Sequence, residues 1–129
     1  MYMDYKNDIT CFYLVFPCLQ IDAVKQIKET IPDKIIVRKN KRTNEYKVMV
    51  KINETDNHEQ CLALKAIIIS LNLDSAKYFF KFCLFSYWDN GGMSIPLHIS
   101  QLHADIGGNI FISRTLKEFP NSFLSKRCV

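Results

Sequence analysis

The stretch from Lys34 to Ile52, KIIVRKNKRTNEYKVMVKI, decides the fold. Two β-branched runs, Lys34 to Arg38 (KIIVR) and the alternating Tyr46, Val48, Val50 and Ile52, flank the polar segment KNKRTN, whose asparagines tolerate turn geometry. The pattern predicts a hairpin with a basic tip. Immediately upstream, Ile21, Val24, Ile27 and Ile31 recur at helical spacing, with Asp22 in the first turn and Pro32 forbidding continuation. Before that helix, Thr10 to Pro17 (TCFYLVFP) is short, aromatic and β-branched, which suits a buried strand. The first four elements therefore run βαββ.

Downstream of the hairpin, Asp56 with Glu59 three residues on forms a capping pair. Leu62 to Leu71 is apolar over a broad face with small Ala63 and Ala66, which predicts a largely buried second helix. From Tyr78 to Trp88 aromatic residues dominate, and Phe80, Phe82 and Leu84 alternate with Lys81 and Cys83 as in a strand. Asn90, Gly91 and Gly92 predict a tight turn. Pro96 fits the first turn of a third helix reaching about Ile106, with Ile99, Leu102 and Ile106 as its apolar stripe and Gly107 and Gly108 as its stop. Asn109 to Ser113 (NIFIS) is a closing strand, and from Arg114 onward Leu116, Phe119, Phe123 and Leu124 suggest a partial helix. The expected architecture is α+β, of order βαββαβαβ. Its first six elements match the ferredoxin-like split βαβ arrangement, an antiparallel or mixed sheet with helices mainly on one face.

A length of 129 residues leaves room for one continuous core, so a single domain over residues 1–129 is expected. Charge is unevenly spread. Lys25 to Lys51 holds nine basic residues against three acidic ones, whereas the rest of the chain is slightly acidic, so one region favours an acidic partner. The apolar run from Cys11 to Ile21 is too short to span a bilayer, which predicts a cytoplasmic protein without a membrane role. The cysteines Cys11, Cys18, Cys61, Cys83 and Cys128 form no CxxC pair and read as reduced core thiols.

No catalytic constellation assembles from the sequence. His98 and His103 are five apart, so on a helix they diverge by about 140° and do not share a metal. Asp89, Ser94 and His98 have the residue types of a hydrolytic triad without the GxSxG elbow that presents a nucleophile. The glycine pairs lack phosphate-loop spacing, and most carboxylates fall at caps or turns. The expectation is a binding protein, not an enzyme, without cofactor or metal. Two features suit a partner surface: the basic tip Arg38, Lys39, Lys41 and Arg42, and the strand end Tyr87, Trp88, Asp89 and Asn90, since Trp, Tyr and Arg anchor interfaces. An alternative is RNA binding on a ferredoxin-like sheet, although Glu45 to Ile52 offers one aromatic and no glycine where RNA-recognition domains carry several.

The segment from Cys83 to Ser113, CLFSYWDNGGMSIPLHISQLHADIGGNIFIS, resembles the closing motif of a bacterial family of small domains found among immunity proteins of polymorphic and contact-dependent toxin systems. There a strand holding a serine or aromatic residue runs into a Gly-Gly turn, a short helix, a glycine and a last strand. The corresponding positions are Ser86 and Tyr87, Gly91 and Gly92, Ile99 and Leu102, Ile106 and Gly107, and Ile110 with Ile112. The chain departs from the family at Val48 or Met49, where a tryptophan is usual, and at Ser113, where an aspartate is usual. The resemblance implies a small cytoplasmic inhibitor that occludes the active or docking surface of a cognate toxin domain.

Overall fold

β1 (Ile9–Leu19) is the strand on which the sheet is built, pairing antiparallel with β3 (Glu45–Ile52) on one side and β4 (Phe79–Ser86) on the other. In the computed structural model, residues 9–31, 35–55, 57–86 and 94–116 are described. β2 (Ile35–Asn40) pairs antiparallel with β3 to form the expected hairpin, and β5 (Asn109–Leu116) lies parallel to β4, giving the order β2-β3-β1-β4-β5. The protein is thus α+β with a mixed five-stranded sheet. Among the described residues three helices accompany it: α1 (Ile21–Thr30), α2 (His58–Ser70) and α3 (Leu97–Ile106).

Strand parity decides which side is covered. Phe12, Leu14 and Phe16 of β1, Val48, Val50 and Ile52 of β3, and Phe80 and Phe82 of β4 join Val24 and Ile27 of α1, Leu64 and Ile67 of α2, and Ile99 and Leu102 of α3 in one buried cluster. Within it the Phe12 and Phe82 rings meet edge to face at 5.1 Å, a preferred aromatic geometry. Each fully buried Leu, Ile or Phe of this set contributes about 1.5–3 kcal/mol in lost apolar exposure, so this face dominates folding.

Several sequence expectations are corrected in detail. β1 runs through Pro17 to Leu19 because its register with β3 shifts between Phe16 and Leu19, inserting one extra residue. A bulge is where a strand tolerates a proline that cannot donate to the ladder. Cys18, within the bulge, is exposed and Cys11, in the regular part of β1, is half-buried, so of the described cysteines only Cys61 and Cys83 are buried thiols. The side chain that caps α2 is Asn57, whose Oδ1 accepts from the Gln60 N–H at 3.0 Å; Asp56 lies outside the described residues. α2 is buried along one side only, with Leu62 and Ile69 exposed. Pro96 occupies the N-cap of α3, one position before the first helical turn. Arg114 to Leu116, expected to begin a partial helix, continue β5 because their pairing with β4 persists to Ser86; Phe119, Phe123 and Leu124 lie outside the described residues.

Two buried polar contacts tie the layers together. Gln60, 4% exposed, donates from Nε2 to the Lys51 carbonyl at 3.0 Å and accepts the Asn53 N–H at Oε1 at 2.9 Å, binding α2 to the end of β3. The Tyr78 hydroxyl donates to the Ile106 carbonyl at 2.5 Å, holding the end of α3 against the start of β4.

Candidate binding surfaces

The hairpin tip is built by local hydrogen bonds. The Asn40 carbonyl accepts from the Asn44 N–H at 2.9 Å, the Asn40 side chain accepts from the Arg42 N–H at 2.9 Å, and Asn44 takes a φ of 60°, a conformation asparagine tolerates. Lys41 and Arg42 stand exposed in the turn. Arg38 and Lys39 point to opposite faces, since Arg38 pairs with Lys47 and Lys39 with Tyr46. The four tip cations therefore share one end of the sheet without forming one patch. Tyr87, Trp88, Asp89 and Asn90 lie outside the described residues. Ser86, which precedes them, ends β4 at the end of the sheet opposite the hairpin: β3 starts beside the end of β1, and β4 finishes beside its beginning.

The sheet face turned away from the helices carries a group that the sequence reading did not single out. In one row across four strands, Lys51 of β3 stands beside Tyr13 of β1, Tyr13 beside Lys81 of β4, and Lys81 beside Phe111 of β5. Phe79 meets Phe111 edge to face at 5.0 Å on the same side. Val15, two residues along β1 on the same side and between Met49 and Phe79 in the register, is fully buried. Phe111 is 54% exposed, and Lys47, Lys51 and Arg38 are exposed as well. Burial, followed by the neighbouring Cys11 and Cys83, pushes the Tyr13 hydroxyl above its ordinary pKa, so it stays protonated and neutral. Burial likewise raises the Cys83 thiol, which suppresses its thiolate. Only the parity of each strand was legible beforehand; the row exists because residues far apart in sequence come into register.

A third feature is a cleft of about 380 Å³ between α2 and α3, lined by His58, Cys61, Lys65, His98, Gln101 and Asp105 among others. Its polar groups are largely engaged internally. Lys65 pairs with Asp105 at 2.5 Å, Gln101 donates to Asp105 at 3.2 Å, and the His98 Nε2 meets the Asn53 carbonyl at 2.7 Å. The hydrogen bonds from Lys65 and then Gln101 hold the Asp105 carboxyl below its ordinary range. His103 turns the other way, to the Gly108 carbonyl at 2.8 Å, so the two α3 histidines serve separate backbone contacts. Ser94 is exposed before α3, and Asp89, the remaining triad residue type, is outside the described residues. Among the described residues no group of three His, Cys, Asp or Glu side chains could hold a metal ion, and no helix is long and apolar enough to cross a membrane.

No protein family, curated protein or solved structure matches the chain.

Proposed function

We propose that this chain is a cytoplasmic immunity protein that binds a cognate bacterial toxin domain and neutralises it by covering its active or docking surface. The observation that carries the reading is the layout of β4, α3 and β5, which follows the order of the closing motif that Cys83 to Ser113 resembles. Gly107 (φ 72°) and Gly108 (φ 105°) stand between α3 and β5, where that motif places its glycine. We further propose that the first six elements form a ferredoxin-like split βαβ arrangement, extended by α3 and β5. The placement of β3 between β2 and β1, and of β1 between β3 and β4, supports it.

Inhibition of this kind needs a rigid face with complementary charge and no chemistry of its own. The exposed Arg38, Lys39, Lys41 and Arg42 suit an acidic patch on the toxin and would steer association, with Tyr87 to Asn90 as the proposed aromatic anchor. The test is co-expression with the toxin domain encoded next to this gene. A one-to-one complex and protected cells are expected, and Arg38→Glu with Arg42→Glu should weaken the complex about tenfold or more. Absence of both complex and protection overturns the proposal.

A further inference from the structure

We infer that the face of the sheet turned away from the three described helices is a binding site for single-stranded nucleic acid, centred on Tyr13 and Phe111 with Lys51 and Lys81 beside them. The inference does not rest on the immunity reading. Along the row Lys51, Tyr13, Lys81 and Phe111, cation and ring alternate strand by strand. Strands lie about 4.8 Å apart, so the two rings are roughly 10 Å apart with the Lys81 ammonium between them, and a second cation, Lys51, flanks Tyr13 on the far side. A single strand presents this alternation in complementary form: flat bases that stack on rings, and phosphates between them that ammonium groups neutralise.

Among the described residues, the cations on this face are not neutralised by ion pairs within the fold. Arg38 and Lys47 stand directly opposite each other on β2 and β3, an arrangement of like charges that destabilises a sheet. Among the described residues, Glu45 at the hairpin end is the one carboxylate on the same side, and none of Arg38, Lys47, Lys51 or Lys81 is ion-paired. A polyanion lying along the face relieves that repulsion. Duplex is disfavoured because its bases are already stacked and cannot reach the rings.

The experiment is fluorescence anisotropy of the full chain with a labelled 20-nucleotide oligouridylate, beside a duplex of equal length and polyglutamate as competitor, between 50 and 200 mM salt. Binding to the single strand is expected, with a slope of log affinity against log salt of about −2 to −3 for three or four phosphate contacts. Tyr13→Ala should weaken it roughly 5- to 100-fold. Because Tyr13 is partly buried, Lys51→Gln with Lys81→Gln serves as the second variant: these should flatten the slope by about 1.4 with an unchanged melting temperature. Lys25→Gln, on α1, should change nothing. No binding at 50 mM salt, equal affinity for duplex, displacement by polyglutamate as effective as by unlabelled RNA, or full binding by the Lys51/Lys81 variant would each overturn the inference. Loss of this binding with the toxin complex intact leaves the immunity reading standing, and the reverse result separates the two in the other direction.

Discussion

Gln60 is a polar side chain set in an otherwise apolar layer, and its amide uses both of its ends on backbone groups of β3 and the loop that follows. Replacing it with leucine keeps the volume but leaves the Asn53 N–H and the Lys51 carbonyl without that partner. Unsatisfied buried groups cost about 1–3 kcal/mol, so Gln60→Leu should lower the unfolding free energy by that amount, read as a lower urea midpoint with an unchanged slope. Asp105 is a second residue whose behaviour follows from its neighbours. Its carboxyl is held below the ordinary range by Lys65 and Gln101, so the folded state favours the ionised form. That contribution is present above the unfolded carboxyl pKa and lost as pH falls through the lower folded value. An NMR titration should find the Asp105 midpoint below that of a free aspartate, and Lys65→Met should move it upward. A midpoint unmoved by Lys65→Met would mean that the pair is not formed in solution.

At the scale of elements, the turn between α3 and β5 is the most constrained. Gly108 has a φ of 105°, and a Cβ there would meet the Tyr78 ring at 3.2 Å, while the Tyr78 hydroxyl is committed to the Ile106 carbonyl two residues earlier. Gly108→Ala should therefore destabilise by about 1–3 kcal/mol, and Tyr78→Phe in the same background should recover little because the ring remains. Thermal melts of the two single variants and the double variant check this. The elements themselves were largely legible, because each carried its own period: alternation in β3 and β4, helical spacing in α1 and α3, and proline or glycine at the boundaries. The misreadings are local. A proline inside β1 read as a strand end because a bulge leaves no composition signal, and Asp56 and Asn57 are adjacent residues with equal capping chemistry. The three residues after Ser113 are mixed in character, and only their partner strand reveals them as β.

At the scale of the whole molecule, the legible part ends where strands must be set side by side. Lys51, Tyr13, Lys81 and Phe111 are separated by roughly thirty residues or more at each step, and no local pattern announces that they share one row. The basic hairpin was conspicuous in sequence, yet its register distributes Arg38 and Lys39 to opposite sides. The parallel pairing of β5 has a consequence for how the native state opens. Within the sheet β5 is an edge that touches β4 alone, and its connection passes through α3, whereas β1 is laced on both sides. Loss of β5 leaves four strands in which every neighbouring pair is antiparallel and every other ladder is intact, so it can detach as a separate cooperative unit below the global unfolding energy. Native-state amide exchange should show β5 and α3 exchanging together in low denaturant, ahead of Phe12 to Phe16, whose amides should wait for the whole chain to unfold.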